Sequence, residues 1–502
     1  MPENVLPDAR PIDGSARAAT APPAARPIKQ RKNGLWGNPS AQLLSGMKAG
    51  WGSPGEPAGS RPTGQADHTA RRRAALSTRF PHERLVIPAG SRKRRSNDTS
   101  YRFRAATEYV YLTGDQTEGG VLVLEPAPGG GHKQSLYLPA RSSRQSGEFW
   151  LDGRSGELWT GRRRGLAESS HTLGIPCRNI NGLAEALLGA PAPVRLVPGH
   201  DAALDRDLAD HWAPAHNEEL VEYLAELRLV KDVFEVTELQ RAVDSTVRGF
   251  EDVVRALDRA ETTTERYAEA TFFLRARVEG NDVGFNTICA SGANACTLHW
   301  TRNDGALRRG DLLLLDAGVE THSLYTADLT RTLPIGGRFG DVQRRVYDAV
   351  HAAQEAALAV IRPGARYRDI HDAAQRVLAE HLVAWGVVAE DVDTVLALDL
   401  QRRWTLHGTG HMLGLDVHDC AAAGTETYVD GNLQAGMCLT VEPGLYFQPD
   451  DLTVPEEYRG IGVRIEDDIL VTAGGHRVLS ATLPRRSDHV EAWMASLRTG
   501  QA

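Results

Sequence analysis

Residues 462–472 read GVRIEDDILVT, and the reading of this stretch decides the fold. Val463, Ile465, Ile469 and Leu470, with Ile461 just ahead, make a largely β-branched run of strand length. Strand alternation puts Arg464, Glu466 and Asp468 on one face and Asp467 on the other. An Arg two residues from a Glu on a strand face is commonly a solvated ion pair. Here the apolar flanks predict burial, where acidic groups without compensation are costly.

Three neighbouring stretches repeat that pattern of a carboxylate on an apolar strand. In MCLTVEPGLYF (437–447), Pro443 and Gly444 turn the chain immediately after Glu442, fixing it at a strand exit. GDLLLLDAG (310–318) ends in Asp316, and TADLTRTLP (326–334) supplies Asp328 after a predicted turn; a hairpin would bring both to one end of a sheet. A lone Asp at a strand end is usually a cap. Four such carboxylates in one domain require a compensating charge.

HGTGHMLGLDVHD (407–419) offers His407, His411 and His418. The HxxxH spacing would align two imidazoles on a helix, but the glycines argue against a helix and the glutamate of HExxH is missing, which disfavours a single-zinc protease. One of these histidines is expected to be a ligand, and the others hydrogen-bonding or substrate-facing groups. One imidazole with Asp316, Asp328, Glu442 and Glu466 suits a pair of divalent cations. Carboxylates favour hard ions such as Mn²⁺, while the imidazole leaves Zn²⁺, Co²⁺ and Fe²⁺ open. Two such ions roughly 3.5–4 Å apart can share a water and stabilise the oxyanion of amide hydrolysis.

The rest of the chain frames this site. With 502 residues, at least two domains and a large core are expected. Hydrophobic residues at 41% and charged residues at 24% are ordinary soluble composition, and no apolar run approaches the roughly 20 residues of a membrane span. The first residues lack the apolar segment of a secretory signal, and five cysteines without a CxxC pair make no disulfide framework; a cytoplasmic protein is expected. The net charge of −8 hides a basic first hundred residues, 17 Lys+Arg against 7 Asp+Glu, followed by an acidic body. Arg71–Arg73 and Arg92–Arg95 lack interleaved aromatics, so a solvated basic segment is the better reading than a nucleic-acid surface.

Residues 1–65, rich in Pro, Gly, Ala and Ser, read as a disordered basic leader in which Trp36 and Trp51 are isolated. TEYVYLTGD (107–115), GGVLVLEPA (119–127) and QSLYLPA (134–140) read as short β-branched or aromatic runs of a smaller α/β domain over 79–213. Helical periodicity dominates 211–260; we place a helical linker at 214–234, an α+β domain at 235–480 and a tail at 481–502. In the second domain, 341–361 and 367–386 read as amphipathic helices between strands, with no tandem repeat.

Taken in order, NTICASGANACTLHW (286–300), LLLLDAG, ADLTRTLP, HGTGHMLGLDVHD, TVEPGLY and GVRIEDD resemble aminopeptidase P, the Xaa-Pro aminopeptidase branch of the pita-bread metallopeptidases. RSNDTSYRFRAATEYVYLTGD (95–115) is similar to the start of that family's creatinase-like N-terminal domain, so the resemblance spans about 79–480. It implies a pita-bread catalytic domain with Asp316, Asp328, His411, Glu442 and Glu466 as ligands of two divalent cations, usually Mn²⁺, and with Asp328 and Glu466 bridging. It further implies Glu442 as general base, His299, His407 and His418 around the substrate, and Tyr446 and Arg464 supporting them, Arg464 by orienting Asp316. Peptides with proline second are the implied substrates, and a homo-oligomer the implied assembly. Prolidase, which cuts only Xaa-Pro dipeptides, is the alternative within the family. Methionine aminopeptidase generally lacks the extra N-terminal domain, and a metal-free creatinase-like or binding descendant would have lost ligands that are all present here. The interval 319–326 is loosely filled, and residues before 79 have no counterpart in the resemblance.

Overall fold

A computed structural model describes residues 40–52, 64–188, 192–209 and 214–499. The described residues of 40–52 and 140–165 make one compact unit, and those of 64–139 with 166–499 another. The predicted disordered leader lies mostly outside the described residues, but its described part is ordered. Helix Ala41–Lys48 is capped by Ser40, whose hydroxyl accepts the Leu43 N–H at 3.1 Å. Trp51 lies 5.7 Å from Trp150, ring to ring, and beneath the Arg144 guanidinium at 4.2 Å. Trp51 is therefore part of an aromatic cluster within this first unit.

The second unit opens with helix Ala66–Arg79, ahead of the start expected at 79. Its Leu76 is fully buried, and its Arg73 donates to the Leu112 carbonyl at 2.7 Å and to Gln134 at 2.6 Å. The sheet that follows has five strands in the order Cys177–Asn179, His132–Leu138, Val121–Pro126, Arg84–Pro88, Val194–Leu196. Its inner pairs are antiparallel and both outer pairs parallel, which is the expected α/β character. TEYVYLTGD differs from expectation: Thr107–Thr113 is a helix, ended by Gly114 at φ 69°. All but Glu108 of its residues are buried, and a short segment apolar on every side carries no period that separates helix from strand.

Helix Pro214–Leu229 leads to Lys231 and Asp232, where the predicted helical stretch breaks. Asp232 and Glu235 form a capping box that starts helix Val233–Ala256. The larger domain then carries two antiparallel three-stranded sheets: Leu329–Pro334, Leu312–Ala317, Ile288–Ser291, and Cys438–Val441, Asp467–Thr472, Gly475–Val478. Helices Asp341–Val360 and Tyr367–Ala384 stand where the amphipathic runs predicted them. The expected tail is helical at Ser487–Thr499, with Val490 and Met494 fully buried. Among the described residues, no helix is long and apolar enough to cross a membrane.

A buried ion cluster ties the linker helix to the histidine-bearing loop. Asp419 receives Arg228 at 2.9 Å and Lys231 at 3.3 Å, all three side chains being almost wholly inaccessible. Removing one member of a buried charge cluster strands the others. Asp419→Ala is expected to destabilise the protein by about 3–5 kcal/mol, read from urea unfolding; an unchanged midpoint would show that the cluster is not desolvated.

Candidate metal centre

Sheet register brings the acidic residues together. Leu312–Ala317 pairs antiparallel with Leu329–Pro334, Asp316 opposite Thr330, and Asp328 immediately precedes the second strand. The expected hairpin therefore forms, and both aspartates emerge at one end. GVRIEDDILVT proves to be two short strands, Gly462–Arg464 and Asp467–Thr472, with Glu466 in the break. Glu442 occupies the matching break between Cys438–Val441 and Gly444–Tyr446. Each of these strand pairs ends at a glutamate. The Glu466 N–H donates to the Thr330 carbonyl at 3.0 Å, joining the two halves of the domain.

Alternation nonetheless survives the break. Asp467 faces away, accepting from Arg331 at 2.7 Å, Ser480 at 2.5 Å and Gln354 at 2.8 Å. Arg464 and Glu466 face the site, where Thr330 donates to Glu466 at 2.7 Å and accepts from Arg464 at 3.2 Å. Asp468 also turns inward, its Oδ2 accepting the Asp328 N–H at 3.2 Å.

The histidine segment is irregular, as its glycines predict. It lies along Cys438–Val441: His411 and Thr440 exchange hydrogen bonds, and the Glu442 N–H reaches the Thr409 carbonyl at 2.7 Å. A Cβ on Gly410 would lie 2.0 Å from the Thr440 carbonyl oxygen, so only glycine permits this approach. His411 Nδ1 lies 3.1 Å from the Met412 carbonyl, an obligate acceptor, so Nδ1 carries the proton. Its Nε2 therefore faces Asp328 Oδ2 at 3.4 Å and Glu442 Oε1 at 3.5 Å, on the side of the ring turned to the carboxylates. Ligand atoms of Asp328, His411 and Glu466 lie within 4.8 Å of one another.

The site is electrostatically incomplete without cations. Asp316 Oδ1, Asp328 Oδ1, Glu466 Oε1 and Asp468 Oδ1 are buried and have no hydrogen-bond partner. Burial first, then the neighbouring carboxylates, holds Asp328 and Glu466 well above the usual carboxylate range. A carboxylate-rich set of orphaned oxygens with one imidazole lone pair fits divalent cations.

The accessory residues surround this cluster. Arg464 donates to Asp316 at 2.5 Å and to the Tyr446 hydroxyl at 2.9 Å. Tyr446, its hydroxyl pushed up to about 12 by burial, lies 2.8 Å from His407 Nε2. His407 is pushed down by burial and lies 3.7 Å from Glu442. The His418 ring stands 4.3 Å from that of His411, edge to face, and is exposed. His299 is exposed, on the side of the site near His418. Three site residues went unassigned in the sequence: Thr330, Thr440 and Asp468. Each lies two residues from an assigned ligand, so period-two alternation from Asp328, Glu442 and Glu466 was the available signal.

The family model for metallopeptidase family M24 matches residues 237–473, and that for the aminopeptidase P N-terminal domain residues 69–190. The chain is 66% identical to "Xaa-Pro aminopeptidase 1" of Streptomyces coelicolor, covering 94% of this chain and 96% of that one. It is 33% identical to the Xaa-Pro aminopeptidase of Escherichia coli, covering 85% and 97%. Among solved structures it is similar to Pseudomonas aeruginosa aminopeptidase PepP, with TM-score 0.78, 31% identity, and 88% and 100% of the two chains covered. It is likewise similar to zinc-substituted E. coli aminopeptidase P in complex with product, with TM-score 0.77, 31% identity, and 86% and 99% covered.

Raised carboxylates hold protons that cations must displace. Titrating the metal-free protein with Mn²⁺ near neutrality should therefore release protons and bind more tightly as pH rises. Calorimetry in buffers of different ionisation enthalpy measures this; buffer-independent heats would mean that the carboxylates are already ionised.

Proposed function

Because the chain belongs to metallopeptidase family M24, we propose that it is a metal-dependent aminopeptidase hydrolysing the N-terminal Xaa-Pro bond of peptides. In this reading Asp316, Asp328, His411, Glu442 and Glu466 would hold two divalent cations. The observation that carries it is the convergence of ligand atoms of Asp328, His411 and Glu466, with unpartnered buried oxygens on Asp328, Glu466 and the neighbouring Asp316. Supporting it, relatives named Xaa-Pro aminopeptidase align over nearly their whole length, both domains included, which favours this activity over a dipeptide-restricted prolidase.

When bound, the cations supply a nucleophilic water at neutral pH and polarise the scissile carbonyl. Glu442 accepts the proton of that water, its position fixed through the Thr409 carbonyl. His407, held between the Gly408 carbonyl and the Tyr446 hydroxyl, faces the same carboxylate, and burial pushes its pKa down. His299 and His418 line the open side, and Arg464 fixes Asp316. A bond to proline has no N–H, so recognition here relies on rings and on the carbonyl instead of that donor.

The carboxylate-dominated ligand set points to Mn²⁺, with Zn²⁺ as the competing ion. All five cysteines are free, four of them buried, which supports the reducing cytoplasm as the location. A homo-oligomer belongs to the same reading, supported by the apolar residues that helix Glu265–Glu279 exposes: Tyr267, Phe273, Leu274 and Val278.

An Arg-Pro-Pro-type peptide should lose its first residue in the presence of Mn²⁺ and stay intact with chelated protein. Glu442→Gln should lower kcat by about 10²–10⁴-fold, and Asp328→Ala should lose metal as well as activity. Strict preference for an Xaa-Pro dipeptide would move the assignment to prolidase, and full activity after exhaustive chelation would end it.

A further inference from the structure

One face of helix Tyr367–Ala384 grips the loop that carries His407 and His411. Tyr367 and His371 are four residues apart and share that face. The Tyr367 hydroxyl donates to the Gly410 carbonyl at 2.5 Å, and His371 Nδ1 lies 2.9 Å from the Thr409 hydroxyl. Tyr428, packed edge-on against Tyr367 at 5.2 Å, accepts the Met412 N–H at 2.8 Å. Three of the four residues from 409 to 412 are thus held by groups outside the carboxylate cluster.

Thr409 is the critical link. It is buried, and its carbonyl accepts the Glu442 N–H at 2.7 Å. His371 therefore acts on one side of Thr409 while the backbone of Glu442 hangs from the other. On its outer side, His371 lines an open cleft of about 260 Å³ with Tyr367, Ile370, Leu406, His407 and Thr409. It makes no contact with a carboxylate of the cluster.

We infer that His371 is a positioning residue for the hydrolysis, setting Thr409 so that Glu442 and His407 stand at reacting distance, and that the cleft beside it admits a small heterocycle. The inference rests on the proposed role of Glu442. Misplacement of a reacting group by a fraction of an ångström lowers turnover more than substrate binding.

The test uses the full chain loaded with Mn²⁺ and an Xaa-Pro peptide. His371→Ala should lower kcat about tenfold with KM changed less than about twofold. His371→Asn, whose amide can restore the bond to Thr409, should recover most of the loss. Imidazole added to the His371→Ala protein should raise kcat while leaving the parent unaffected, which a purely structural defect would not show. Thr409→Val should reproduce the loss and make His371→Ala silent in the double variant. An active parent with an equally active His371→Ala protein, a loss confined to KM, or no recovery with either asparagine or imidazole overturns the inference alone. A parent that leaves Xaa-Pro peptides uncut overturns the function on which it rests.

Discussion

Among the described residues of the larger unit, buried negative charge is compensated by donors except at one place. Asp467 has Arg331, Ser480 and Gln354; Asp419 has Arg228 and Lys231. Glu265, fully buried, accepts from Ser291, Asn294, Trp300 and Gly305 at 2.7–2.8 Å. Against that background, Asp316, Asp328 and Glu466 each keep one oxygen without a partner, and ligand atoms of Asp328 and Glu466 lie within 4.8 Å of His411. A chain that satisfies carboxylates elsewhere with arginine and backbone N–H has here left room for charge from outside. Such buried carboxylates are neutralised by protons, or by cations that displace those protons.

The fold serves this by interrupting strands at the point of use. A continuous strand would commit the backbone N–H and C=O of Glu442 and Glu466 to one ladder. The breaks at 442–443 and 465–466 let the Glu442 N–H reach the Thr409 carbonyl and the Glu466 N–H reach Thr330. Those two bonds fasten the glutamates to the histidine loop and to the aspartate hairpin respectively. Pro443, which offers no N–H, sits where a ladder donor is not needed.

Much of this was legible in the sequence because strand period and burial constrain each other. The inward set of Arg464 and Glu466 and the outward Asp467 follow from alternation alone, and the hairpin follows from the apolar run ending at Asp316. The histidine loop was legible as irregular from its glycines, but which imidazole is a ligand required the family resemblance. The strand break at Glu466 was not legible, since DD following IE reads as uninterrupted strand until the Thr330 partner is known. Thr107–Thr113 was misread as extended because burial on all sides erases the helical period. Helices Ala66–Arg79 and Ser487–Thr499 were missed at the domain edges, where Arg- and Ser-rich composition resembles a solvated segment yet Leu76, Val490 and Met494 anchor it.

Arg464 shows why the charged and substrate-facing halves of the site cannot be separated. A single buried guanidinium donates to Asp316, to Thr330 and to the Tyr446 hydroxyl. Thr330 in turn donates to Glu466, and Tyr446 meets His407. The planar fork fixes these partners relative to one another, which a flexible ammonium would not do. Asp316 and Glu466 on one side and Tyr446 and His407 on the other are therefore positioned through the same guanidinium. Loss of that one side chain would unfasten the carboxylates and the histidine together, so the two halves of the site form a single hydrogen-bonded unit.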